Sequence, residues 1–210
     1  MTFEILTMTS CRWSIRNIAV LIEKRVDYRL VDVSENGRKA TWYTALTPFG
    51  KTPALRHAGH ILVESLMINE YLEAVAPGRK LLPPQPLECA WGRIWNAYCD
   101  AEVMPLLGAV LSNDFGQRER ALSDLGTCFG TLEANLFRYA QRGTFWGGEA
   151  PSLTDICYWS LFDVLNRVDL LQPARQLLEA HPRLRQWGVD LLGYPVFIDS
   201  VASLESLKAN

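Results

Sequence analysis

A proline opening a β-rich run, followed by an acid and a hydroxyl at the head of an apolar helical pattern, is the arrangement in this chain best suited to chemistry. In the run Gly50-Lys-Thr-Pro-Ala-Leu55, Pro53 removes a ladder donor and marks a special turn that exposes the backbone of Thr52. Nine residues further on, Glu64 and Ser65 offer a carboxylate, a hydroxyl and free backbone N–H groups at a helix start, where the helix dipole favours a ligand carboxylate. Together these groups suit a small extended peptide gripped from both ends. A strand-edge proline or an ordinary helix cap explains either feature alone, but both in one topology favour a ligand site.

The elements that must position these residues follow from periodicity. Phe3, Ile5 and Thr7 alternate with Glu4, Leu6 and Met8, which reads as a first strand. Ile15, Ile18, Ala19 and Ile22 share one face of a helix from about Trp13 to Lys24. Tyr28 to Val33 reads as a second strand, so the chain opens with a β-α-β unit, a parallel pair and a right-handed crossover. Ser34 to Phe49 reads as a loop with one short helical piece. Pro53–Arg56 and Ile61–Val63 form a hairpin, because Gly59 accepts the positive φ of a tight turn. Ile68, Tyr71, Leu72 and Val75 continue as a helix up to Pro77. Four prolines between Pro77 and Pro86 exclude regular structure and mark a linker. The expected division is a β-α-β-β-β-α domain over 1–76, a linker over 77–86 and an all-α domain over 87–210, with Trp91, Trp95, Leu125, Leu132, Leu136, Trp159, Leu165 and Trp187 as core mass. Within the helical part, Ser152-Leu-Thr-Asp155 matches a capping box.

The 210 residues are 49% hydrophobic, enough for a sizeable core. With 21 basic against 23 acidic residues the chain carries no electrostatic footprint for nucleic acid or an acidic membrane, and neither is expected as a partner. No signal peptide or apolar run of bilayer length is legible, and the five scattered cysteines are odd in number, so a reducing compartment and a cytoplasmic location are expected. His57 and His60 sit in a turn without further ligands nearby, and no metal is expected.

A strand-rich α/β half, a short linker and a helical half resemble the cytosolic glutathione transferase superfamily over nearly the whole chain. Pro48-Phe-Gly-Lys-Thr-Pro-Ala-Leu55 is similar to the family's cis-proline segment, and Glu64-Ser-Leu-Met-Ile-Asn-Glu-Tyr-Leu72 to its glutamate-serine helix start. The resemblance implies a thioredoxin-like first domain and glutathione as co-substrate. It further implies that Thr52 pairs its backbone with the cysteinyl part, that Pro53 is cis, that Glu64 and Ser65 hold the γ-glutamyl end, and that Lys51 faces the glycine carboxylate.

In this superfamily the activating residue lies between the first strand and the first helix, here Thr9-Ser-Cys-Arg-Trp-Ser14. Cys11 resembles the catalytic cysteine of the omega-like, cysteine-type classes, with Ser14 completing a Cys-x-x-Ser pattern. A cysteine beside Arg12 and Arg16 at a helix start is expected to ionise readily, which suits thiol exchange. The alternative is that Ser10 or Ser14 donates a hydrogen bond to the glutathione sulfur, giving conjugation or glutathione-dependent isomerisation. Two departures stand out: Arg12 replaces a common proline, and Arg25 replaces the glycine that usually follows the helix lysine. Arg12 and Trp13, with Trp95 and Tyr98 of the helical half, are expected around a second-substrate pocket between the halves.

The expectation is a cytoplasmic, homodimeric transferase acting on a small electrophile or disulfide. A non-catalytic module that keeps the fold is the reading from another class.

Overall fold

The computed structural model describes residues 2–33 and 41–209, over which four strands form a mixed sheet in the order β2-β1-β3-β4. These are β1 (Phe3–Thr7), β2 (Tyr28–Asp32), β3 (Ala54–His57) and β4 (His60–Val63). β1 runs parallel to β2 and antiparallel to β3, and β3 pairs antiparallel with β4. Ala58 and Gly59 turn the hairpin with φ of 51° and 80°, the paired left-handed geometry of a two-residue turn. Of the loop expected from Ser34 to Phe49, positions 34–40 lie outside the described residues. The short helical piece is α2 (Thr41–Leu46).

Alternation along β1 is incomplete, because Leu6 is as fully buried as Ile5. The cause is a sheet covered on both faces. Leu6 joins Val33, Tyr43 of α2 and Ala54 in one cluster, while α1 (Ser14–Glu23) and α3 (Ser65–Val75) contact strands and each other. α1 ends in a Schellman motif, with Arg25 N–H bonding Ile22 O (2.9 Å) and Val26 N–H bonding Leu21 O (3.2 Å). Arg25 takes φ 54° there, so the arginine occupies the left-handed position that a glycine ordinarily fills. Lys24, nearly enclosed, pairs with buried Glu73 of α3 at 2.8 Å and donates to Arg79 O at 3.1 Å.

Leu81–Gly193 form a second compact unit, all helical apart from a single bridge between Phe145 and Gly148 among its residues. Its helices are α4 (Pro86–Tyr98), α5 (Met104–Val110), α6 (Phe115–Asn135), α7 (Leu153–Arg167), α8 (Gln172–Gln176) and α9 (Pro182–Leu192). A π-helical turn, Cys99–Val103, joins α4 to α5. Gly188 of α9 lies so close to α7 that a Cβ there would sit 2.5 Å from the Phe162 ring, so only glycine permits this crossing. No helix among the described residues is long and apolar enough to cross a membrane.

The expected domains need correction at both edges. The first unit runs on to Lys80, and it also takes the chain from Tyr194 onward, including α10 (Pro195–Glu205), which had been assigned to the helical domain. α10 packs along α1, and Tyr28 Oη meets Ser203 Oγ at 2.9 Å. The physical reason lies in α1, whose apolar surface exceeds one stripe: Val20 and Leu21 are fully buried alongside Ile15, Ile18 and Ala19. Each such aliphatic side chain contributes about 1.5–3 kcal/mol when enclosed.

Candidate functional site

Strand register brings the predicted glutathione-binding segments and the Cys11 loop to one end of the sheet. Leu6 of β1 stands opposite Ala54 of β3, and Ala54 opposite Val63 of β4. The loop after β1 with Cys11, the segment before β3 with Lys51, Thr52 and Pro53, and the β4–α3 junction with Glu64 and Ser65 therefore leave the sheet at the same end. His57 and His60 lie at the opposite end of the hairpin. His60 is exposed, whereas His57 is half-buried, stacks on Phe3 at 4.2 Å, and its Nδ1 meets Tyr71 Oη at 2.8 Å.

The Thr52–Pro53 peptide is cis, as the resemblance implies. Thr52 is half-buried and lies two residues before the β1–β3 ladder begins. Buried Tyr43 holds this segment by donating its hydroxyl to Lys51 O at 2.7 Å, which leaves the Lys51 side chain exposed.

Glu64 precedes α3 with φ 68° and ψ 111°, an uncommon conformation for a residue with a side chain, and makes no side-chain cap bond. The first turn of α3 thus keeps N–H groups that the Glu64 carboxylate does not satisfy. Ser65 is buried and fixed from behind: Arg16 Nη1 donates to its hydroxyl at 3.3 Å, and Asn17 Nδ2 to its carbonyl at 2.9 Å and to Asn69 Oδ1 at 2.6 Å. Arg16 and Asn17 are fully buried on α1, so a guanidinium charge sits beneath the helix start and favours an anionic ligand above it. The sequence expectation sets Arg16 beside Cys11 rather than beneath Ser65, and does not include Asn17. The available signal was a charged and an amide residue inside the otherwise apolar run Ser14-Ile-Arg-Asn-Ile-Ala-Val-Leu21, since buried charges require partners.

Among the candidates for the reacting centre, the three side chains have different surroundings. Ser10 is exposed, Cys11 is buried (6% exposed), and Ser14 is completely enclosed, its hydroxyl bonded to that of Thr7. Cys11 N–H bonds Met8 O at 2.9 Å and its carbonyl accepts from Ser14 N–H at 3.2 Å, so the cysteine closes the turn that leads into α1. Arg12 is half-buried and engaged by neighbours, and Trp13, 39% exposed, occupies the N-cap position.

Trp95 and Tyr98 belong to the second unit. Trp95 is buried, stacked near Trp91 (6.2 Å) and edge-on to Tyr98 (5.7 Å), while Trp91 lies flat on Tyr139 at 4.5 Å. Burial, reinforced by Cys128, pushes the Tyr98 phenol up to about 12, so at neutral pH it remains a hydrogen-bond donor. The capping box at the start of α7 is present as expected. Asp155 accepts from Ser152 N–H and Oγ, Trp146 N–H, Gly147 N–H and Trp187 Nε1 at 2.7–2.9 Å.

Comparison with known proteins adds independent findings. The family model for the glutathione S-transferase N-terminal domain matches residues 6–80, and that for the C-terminal domain matches residues 115–187. A rice (Oryza sativa subsp. japonica) protein named as a probable glutathione S-transferase is 30% identical over 199 residues, spanning 88% of this chain and 81% of its own. Glutathione S-transferase omega-1 of Mus musculus is 26% identical over 195 residues, spanning 92% of this chain and 78% of its own. The crystal structure of a Tau class glutathione S-transferase from mango superposes with a TM-score of 0.79 over 98% of this chain and 94% of its own, at 24% identity, a likeness of fold.

Proposed function

From the premise that this chain belongs to the glutathione S-transferase family, an enzyme family using glutathione as co-substrate, we propose that it is a cysteine-type transferase in which Cys11 acts as the nucleophile. The observation that carries the reading is the register Leu6–Ala54–Val63, which sends the Cys11 loop, Thr52–Pro53 and Glu64–Ser65 out of one sheet end. Glutathione is an extended tripeptide with charges at its ends. In this reading Thr52 pairs with its middle through the backbone, the free N–H groups of α3, Ser65 and Glu64 hold the γ-glutamyl end, and Lys51 neutralises the glycine carboxylate. Arg16 and Asn17 act through Ser65 and are positioning residues.

The Cys11 thiolate attacks one sulfur of a disulfide or glutathionylated substrate. An S–S bond breaks, the departing thiolate takes a proton from solvent, and a mixed disulfide forms at Cys11. A second glutathione thiolate attacks that bond, releasing the glutathione-bound product and restoring Cys11. Ser14 fits the sulfur-activating role poorly, because its hydroxyl is enclosed and engaged by Thr7. Ser10, exposed, is the serine that remains for the conjugating alternative. A cytoplasmic homodimer is the accompanying expectation from the family.

The deciding experiment compares Cys11→Ala, Ser10→Ala and Ser14→Ala in disulfide reduction and in aromatic conjugation. Cys11→Ala is expected to lose roughly three orders of magnitude or more in disulfide reduction. The intact protein exposed to glutathione disulfide should gain one glutathione adduct that the variant cannot form. Full disulfide-reducing activity without the Cys11 sulfur sinks this mechanism.

A further inference from the structure

Away from the sheet edge, the second unit holds a cluster with different chemistry. Cys99 and Asp100 lie on the π-helical turn between α4 and α5, and Cys157 lies on α7. Their two sulfurs and a carboxylate oxygen are all within 4.8 Å of one another. We infer that Cys99, Asp100 and Cys157 form a binding site for a thiophilic divalent cation, zinc in the first instance.

Three observations support it. Tetrahedral zinc, with bonds of about 2.3 Å to sulfur and about 2.0 Å to oxygen, holds such ligands roughly 3.5–3.8 Å apart, so a contraction of about 1 Å completes the geometry. In a regular helix adjacent residues point about 100° apart and do not meet one partner. Here Cys99 and Asp100 both reach the Cys157 sulfur, and the wide turn that permits it is of a kind found mostly as single turns and often at functional sites. Thirdly, Asn96 stands one turn earlier on the same face, is 8% exposed, and its side-chain oxygen has no hydrogen-bond partner among the described residues. Its backbone carbonyl faces Cys157 Sγ at 4.0 Å. Asn96 thus supplies a neutral oxygen as fourth ligand, or as acceptor for a water in that position.

Both cysteines are fully buried and Asp100 is half-buried, so the cation approaches from the carboxylate side. Binding breaks two S–H bonds and forms two metal–sulfur bonds, and the two protons pass to solvent, so affinity rises with pH. None of the three residues belongs to the proposed glutathione site, and the cation's effect is to tie the π-helical turn to α7.

The test is a titration of the reduced, chelator-treated full chain with cobalt(II), a coloured stand-in for zinc. One equivalent is expected to give a near-ultraviolet thiolate-to-cobalt band with the visible bands of a tetrahedral ion, displaced by one equivalent of zinc. Asp100→Asn, at the partly exposed ligand, should keep its far-ultraviolet circular dichroism and bind cobalt at least about tenfold more weakly. Cys157→Ser should roughly halve the band's intensity per bound cobalt. The inference is overturned by no band at millimolar cobalt, by affinity unchanged in Asp100→Asn, or by a band that vanishes in Cys11→Ser, which would place the metal at the other thiol.

Discussion

Two helix starts in this molecule are built in opposite ways. At α7, the Asp155 carboxylate collects five donors and the Ser152 hydroxyl accepts from Thr154 N–H at 3.2 Å, so the first turn is closed by its own chain. At α3, Glu64 makes no cap bond and sits at positive φ, while Ser65 behind it is held by Arg16 and Asn17. The first arrangement satisfies donors permanently and stabilises a core. The second keeps donors available, braces them from beneath with a buried cation, and tolerates local strain of a kind that concentrates at ligand clamps. A helix start serves folding or binding according to whether its amides are already engaged.

Disrupting the closed start should have the largest effect. Asp155→Ala leaves the Trp146, Gly147 and Ser152 amides and the Trp187 indole without their acceptor, and is expected to cost about 3–5 kcal/mol of stability, read by urea unfolding. At the open start the loss should fall on binding instead. Glu64→Ala is expected to weaken glutathione by about 1–3 kcal/mol in calorimetry, with the unfolding midpoint unchanged. Equal destabilisation by both substitutions would erase the distinction.

A finer contrast uses two exposed residues at positive φ that flank helices, Glu64 (φ 68°) before α3 and Arg25 (φ 54°) after α1. Arg25→Gly is expected to stabilise the chain by about 1 kcal/mol without altering glutathione affinity. Glu64→Gly should stabilise it by a similar amount while weakening the ligand. If Glu64→Gly retains full affinity, the carboxylate has no part in the grip.

How much of this was legible depended on how local each signal is. The β1 strand, the α1 stripe, the Pro53 turn and the Ser152–Asp155 box are written in neighbouring residues, and each is found where periodicity or motif placed it. Leu6 departs from alternation because α2 covers a second sheet face, which no property of β1 itself reveals. The Arg16–Ser65 contact joins positions far apart in the chain, and a buried arginine in a sequence announces a need for a partner without naming it. The same holds for α10: its amphipathic pattern requires an apolar partner, and only the assembled fold shows that partner to be α1 rather than its neighbours in sequence. Arg25 was visible as a missing glycine, but its backbone angle was not. Cys99 and Cys157, on separate helices, have no spacing that a motif search would register.

The return of α10 also sets an order of events during synthesis. The first strands, α1 and α3 leave the ribosome early, yet α1 lacks its covering helix until the whole intervening unit has been translated. At about 5–20 residues per second, the stretch of about 170 residues between α1 and α10 leaves α1 uncovered for roughly 9–34 seconds. Helix α1 is therefore made well before its packing is finished, and chaperones have a long window on the unit that carries the sheet.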